Sequence, residues 1–228
     1  MAQQPGKIVV AATAKGGAGK STMVACLATH WQDAGRRVGL LDADPNETLS
    51  RWHGKGGALS YATLRTEHDE RAVIPAIREL AGSHDVVLVD CAGFGNQCMV
   101  YAIGAADLVL IPVMTDEANV FEAVRARRIV ESAASLIDRP IMAHSVLSRV
   151  KRAAVADHAR AQLVSLGTPP LAAQLNDRVL FQEATFHGSS PTALAPSSSA
   201  ARDVVRLAEE IEGLLWLRTP ERSMALAR

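Results

Sequence analysis

Between positions 11 and 24 the chain reads AATAKGGAGKSTMV, with two lysines five residues apart and three glycines between them. Backbone N–H groups of Gly17, Ala18, Gly19 and Lys20 can converge there on phosphate oxygens. The glycines allow a sharp turn and a close approach, and a following helix adds the partial positive charge of its N-terminus. In a phosphate loop of this kind Lys20 reaches the β- and γ-phosphates, the Ser21 hydroxyl holds Mg²⁺, and Thr22 contacts the α-phosphate. The strict pattern G-x-x-x-x-G-K-[ST] is not met, because its first position falls on Ala14. Such a loop also has no ordinary use for the upstream cation, Lys15.

The loop requires a strand before it and a helix after it, and the surrounding pattern supplies both. KIVVAA (7–12) is a short β-branched apolar run, and 20–35 reads as a helix stopped by Gly35. Further strands are expected at 36–44, 59–65, 85–90, 106–113, 140–148 and 170–175. Further helices are expected at 69–84, with Pro75 kinking it or starting it late, and at 116–137, 154–167 and 199–217. The segment 188–201, rich in small residues, reads as a surface loop, and 218–228 as a frayed tail. Continuous apolar strands alternating with helices predict an α/β fold: a doubly wound, mostly parallel sheet with helices on both faces. A length of 228 residues suits one domain over the whole chain, with a core at about 7–217.

Ligands of such sheets sit beyond the carboxyl ends of the strands. VGLLDADPN ends one strand in Asp42 and Asp44, and DVVLVDCAG ends another in Asp90. A carboxylate near a γ-phosphate can orient an attacking water, its charge tolerated beside Mg²⁺ and lysines. Asp42 is the candidate for that work. Asp44 is placed to support Mg²⁺ or a switch loop, and both acids could instead cap the next helix. Asp90 is placed to bind Mg²⁺, mostly through water.

KGGAGKST resembles the deviant Walker A motif of the ParA/MinD family of ATPases. VGLLDADPN resembles that family's second motif, and DVVLVDCAG its Walker B strand. The missing proline after Asp90, in Asp90-Cys91-Ala92-Gly93, is similar to the small plasmid-partition branch. The resemblance spans about residues 7–217 and implies the P-loop NTPase fold, ATP with Mg²⁺ as ligands, and weak, dimer-dependent ATP hydrolysis. It implies that Lys15 reaches the nucleotide held by the other subunit, that Lys15 and Gly16 with the rest of the loop bind nucleotide, and that Gly93 and Gly95 let the Walker B loop switch. Ser148 and Arg149 then fall near the adenine pocket, as does the segment 176–186 with Phe181.

The same resemblance implies a homodimer that forms on ATP, binds DNA without sequence preference and answers to a centromere-binding or cargo adaptor. Lys+Arg and Asp+Glu are equal at 24 each, so DNA binding has to come from a local patch. RVKRAAVADHAR (149–160) is the candidate, with Arg149, Lys151, Arg152 and Arg160; Arg178, Arg202 and Arg206 could extend it. Three cysteines without a C-x-x-C pair fit a reducing cytoplasm, and no run of 18 apolar residues suggests a membrane span. The expected location is cytoplasmic and nucleoid-associated, without stable membrane association. Competing readings are a positioning ATPase for a non-DNA cargo, a MinD-like membrane-surface ATPase, in which a basic amphipathic C-terminal helix is expected, and an iron-protein-like redox enzyme, for which a second cysteine is wanting.

Overall fold

The computed structural model describes residues 5–13, 15–93 and 97–216. Three apolar runs form its centre: β1 (Lys7–Ala11), β4 (Val86–Cys91) and β5 (Leu108–Val113). They are flanked by β2 (Val38–Ala43), β3 (Thr63–Thr66), β6 (Met142–Val150) and β7 (Pro170–Asn176). Among the described residues these make a seven-stranded sheet in the order β3-β2-β4-β1-β5-β6-β7, with every paired neighbour parallel. Every residue of β2, β4 and β5 is buried, which is why these strands carry no polar alternation.

Side chains of opposite parity along β1 feed two separate cores. Val10 joins one with α3 (Val73–Ser83), α4 (Gln97–Ala105), α5 (Glu117–Leu136) and α6 (Ala153–Ser165). Val9 and Ala11 join the other with α1 (Lys20–Asp33), α2 (Thr48–His53), α7 (Val179–Phe186) and α9 (Ser199–Leu215). Helices thus cover both faces, and the strand order reverses about β1 at the sheet centre, with the loop before α1 at its carboxyl end.

The local structure refines these expectations and corrects some of them. Residues 59–65 are not one strand: Ala58–Tyr61 is a 3₁₀ turn, and only Thr63–Thr66 pairs with β2. α3 starts late, with Pro75 in its first turn, where its missing N–H costs nothing. Residues 97–105 form α4, and α7 occupies most of the expected loop 176–186. The segment 188–201 is not a surface loop. Ser189 and Ser190 are buried, Pro191–Leu194 forms the short helix α8, and Ser198 caps α9 by accepting from Ala201 N. Gly188 has a left-handed φ of 54°, and a Cβ there would run into the Trp52 carbonyl, so these two segments pack backbone to backbone. The Leu59 amide bonds the Gly188 carbonyl across the same seam.

α9 spends its apolar face on the core. Trp216 meets Trp31 edge-on at 5.8 Å, and the Arg36 guanidinium lies 3.9 Å from the Trp216 ring centre. Trp31 in turn donates to Glu212. Gly95, Leu217 and the expected tail 218–228 lie outside the described residues.

Candidate functional site

β1 delivers the chain to the glycine loop at the middle of the sheet. Gly17 and Gly19 hold φ values of 83° and 95°, which a side chain would strain. Gly19 is the N-cap of α1 and supplies no side-chain acceptor, and no acid lies in the first turn. The first amides of α1 therefore point outward without a side-chain partner, as an anion site requires. The loop is pinned from behind. Ala18 is fully buried, and its carbonyl accepts a 2.7 Å hydrogen bond from Ser148 Oγ at the end of β6. Lys20 is buried at 7% exposure, Ser21 and Thr22 are half-buried, and Lys15 is exposed.

Asp42 and Asp90 lie beneath the loop at the ends of β2 and β4, and both are fully buried. Asp42 is tied to its surroundings. Its Oδ2 accepts from Ser50 N at 2.8 Å and Ser50 Oγ at 2.7 Å, and its Oδ1 accepts from Asp44 N at 3.2 Å. Through Ser50 it holds the first turn of α2. Asp44, half-buried, accepts from the backbone and side-chain amides of Asn46 in a local turn. Asp90 differs: both of its carboxylate oxygens are buried without a hydrogen-bond partner. Burial pushes its pKa up to about 7, and Asp42 and Asp44 add to the rise, while nearby Ser21 and Lys20 oppose it. An orphaned carboxylate facing Ser21 and Lys20 is the donor set that a hard divalent cation with bound waters would satisfy, so the residues fit Mg²⁺.

Above these acids opens a cleft of about 640 Å³. Gly16, Gly17, Gly19, Lys20, Ser21 and Thr22 form its phosphate end. Asp44 and Trp52 form one side, and Arg149, Asn176, Arg178, Phe181 and Phe186 the far end. Arg149 sits at a register irregularity between β6 and β7 with a left-handed φ of 51°, strain of the kind that collects at ligand sites. Arg178 also lines the cleft and is ion-paired to Asp203 at 2.8 Å.

The structure therefore brings Gly16, Gly17, Gly19, Lys20, Ser21, Thr22, Asp44 and Arg149 to one cleft, sets Ala18, Asp42 and Asp90 under it, and leaves Lys15 exposed outside its lining. The basic segment 149–160 is less free than its sequence suggests. Arg160 donates to the carbonyls of Leu171 and Ala172 and to Gln174, and Lys151 lies 3.5 Å from Asp177. Arg152 is exposed. Sequence reasoning passed over Ser50, Trp52 and Asp203. Only contact across chain separations of up to 27 residues gives the last its role. Cys26, Cys91 and Cys98 are buried thiols, and among the described residues no group of His, Cys, Asp and Glu could hold a metal by itself.

The family model described as VirC1 protein matches residues 6–188. Over 183 residues the chain is 32% identical to Protein ParA of Rhizobium radiobacter, covering 77% of this chain and 82% of that protein. Over 215 residues it is 26% identical to the maintenance of carboxysome distribution protein A of Halothiobacillus neapolitanus, covering 92% and 99%. The apo structure of Cyanothece McdA superposes with a TM-score of 0.76 at 18% identity, covering 90% of this chain and 99% of that one, a likeness of fold. With most of the chain matched and its phosphate loop and strand-end acids gathered in one crevice, the protein belongs to the VirC1 family, within the ParA/MinD ATPases.

Proposed function

We propose that the protein is a ParA-like ATPase switch for DNA partition. Two subunits sandwich ATP, the dimer binds DNA without regard to sequence in the cytoplasm, on the nucleoid, and hydrolysis stimulated by an adaptor protein releases it. The observation that carries the nucleotide part is the buried, unpartnered carboxylate of Asp90 beneath an uncapped glycine loop. The 32% identity with a ParA protein supports the partition part.

Each residue then has a task. The α1 amides and Lys20 bind the β- and γ-phosphates. Ser21 and Asp90 are the residues that would hold Mg²⁺, Asp90 by way of water. The ion, when bound, neutralises phosphate charge and the Asp90 carboxylate together. Asp42 Oδ2 is occupied by Ser50, but Oδ1 carries one 3.2 Å bond and keeps a lone pair with which to orient a water. Exposed Lys15 completes the partner's site, so that hydrolysis waits for dimerisation as it does with an arginine finger. Lys151 and Arg152 contact DNA phosphates. Among the described residues no helix is long and apolar enough to cross a membrane, and the apolar end of α9 is packed on Trp31 rather than free to lie on one.

A second reading is supported by the match to a carboxysome distribution protein along 92% of the chain: the same switch positioning a non-DNA cargo. Binding to a random-sequence duplex, without nucleotide, with ADP and with ATP, at low and high salt, tests the proposal. Salt-sensitive binding confined to ATP supports it. Absence of binding beside intact ATP-dependent dimerisation overturns the DNA reading.

A further inference from the structure

The phosphate end of the cleft is fixed by the glycine loop, so a bound nucleoside has to extend toward the wall formed by Asn176, Arg178 and α7. That wall begins where β7 ends, past a register irregularity, with the Asp177 amide donating to the Val150 carbonyl at 2.9 Å as its backbone tie to β6. One buried side chain of α9 adds the side-chain hold. Asp203 Oδ2 accepts from Asn176 N at 3.2 Å, Asn176 Nδ2 at 3.0 Å and Arg178 Nε at 2.8 Å, and its Oδ1 accepts from Arg178 Nη2 at 3.4 Å. Asp203 is 8% exposed and lies outside the cleft lining. The Asn176 side-chain oxygen is taken by Gln174 Nε2 at 3.0 Å, which fixes the amide from its other end.

Arg178 is the N-cap residue of α7; its carbonyl accepts from Phe181 N at 3.2 Å, but its guanidinium cannot accept from that helix's amides, so the side chain's place depends on the carboxylate. Phe181, one turn further on, follows Arg178 into the cleft wall.

We propose that Asp203 is a positioning residue for the nucleoside end of the cleft: through Asn176 and Arg178 it sets the wall against which the base is held, and so contributes to nucleotide affinity without touching the ligand. This rests on the nucleotide-site reading. Charge-assisted hydrogen bonds to a buried carboxylate are the strong ones, so replacing it with a neutral isostere should loosen this wall first. The glycine loop is pinned independently, by Ser148, and should keep its shape.

The test compares two probes on the full chain by titration calorimetry with Mg²⁺: ATP, and inorganic tripolyphosphate, which has the phosphates and no base. In Asp203→Asn the affinity for ATP should fall about tenfold while tripolyphosphate binds as in wild type or tighter. The KM for ATP should rise with kcat held, and Asp203→Glu should recover most of the loss. Equal weakening of both probes, or unchanged ATP affinity, overturns the positioning role. Wild-type protein that takes up neither probe overturns the nucleotide site itself. If Asp203→Asn does not fold, Arg178→Lys, which keeps the charge but loses the fork, should give the same selective loss in smaller measure; its absence overturns the proposal.

Discussion

Asp42 and Asp90 stand opposite one another in register on the neighbouring parallel strands β2 and β4, both fully buried, yet only Asp42 is hydrogen-bonded. The difference follows from what comes next in the chain. β2 runs into α2, which turns back to give Asp42 the Ser50 amide and hydroxyl, whereas Asp90 faces only the Ser21 hydroxyl and Lys20 ammonium of α1, neither of them seated on its oxygens. Two like charges at the ends of adjacent strands disfavour joint ionisation, and the unsatisfied one carries the cost. Asp90 is thus the group of the pair whose charge is held least firmly, and on the proposed function a bound cation would settle it.

The pH dependence of stability tests this. Asp90 has its pKa raised to about 7 by burial, with Asp42 adding to the effect. The folded state then holds a proton that the unfolded chain has lost, so the contribution to stability is present at acid pH and disappears as pH rises from the ordinary carboxylate range through about 7. The slope should approach 1.4 kcal/mol per pH unit, roughly, within that window. Urea unfolding in chelator without nucleotide should show stability falling from about pH 5 to about pH 8. Asp90→Asn should flatten the trend, and an unchanged slope in that variant would refute the assignment.

The two loop lysines should separate by assay. Lys20 is buried beside the α1 amides, so Lys20→Ala should remove nucleotide binding itself. Lys15 is exposed, and Lys15→Ala should leave monomer binding nearly intact while ATP-dependent dimerisation and turnover fall by about a hundredfold or more. Sedimentation with and without ATP, read beside phosphate release, decides it. Wild-type turnover in Lys15→Ala would end the account of a lysine supplied to the partner.

Much of this site is written in short spacings. Gly19-Lys20-Ser21 opens the helix that follows one apolar run, Asp42 and Asp90 close two others, and the parallel sheet that the runs predict is the one observed. What could not be read locally was local structure decided from a distance. Ser189 and Ser190 carry small polar side chains that suggest a loop, but the close packing of Gly188 on the Trp52 carbonyl draws them inside. Residues 59–61 have strand-like composition, but only Thr63–Thr66 reaches β2. The basic run 149–160 looked uniform because sequence does not say which cations are already spent, and Arg160 is spent on β7.

Ser148→Ala tests how the phosphate loop keeps its shape. The variant removes the buried hydroxyl and leaves the Ala18 carbonyl without its donor. The expected cost is about 1–3 kcal/mol in unfolding free energy. Nucleotide affinity should fall with it, and tripolyphosphate should be weakened as much as ATP, since the loop and not the nucleoside wall is disturbed. Selective loss of ATP would show that Ser148 acts on the far end of the cleft instead.

Within 149–160 the proposed DNA patch comes down to two cations. Of the basic residues at 149–160, Arg160 is bound to β7 carbonyls and Arg149 lines the cleft in a left-handed conformation, which leaves Lys151 and Arg152. Arg178 is ion-paired to Asp203 in the cleft wall and is withdrawn from the patch. The Lys151–Asp177 pair is 3.5 Å long with the lysine 76% exposed, so water screens it and a phosphate can compete for the lysine. Lys151→Ala with Arg152→Ala should lower affinity for random-sequence duplexes alike and reduce the slope of log affinity against log salt by about 2. Asp177→Asn removes the competing carboxylate and should raise affinity modestly. Arg160→Ala should cost stability and leave the salt slope alone, because its guanidinium already serves the sheet edge. If the double variant binds as wild type while Arg160→Ala loses the salt dependence, the contact surface lies along β7 and not at the start of α6.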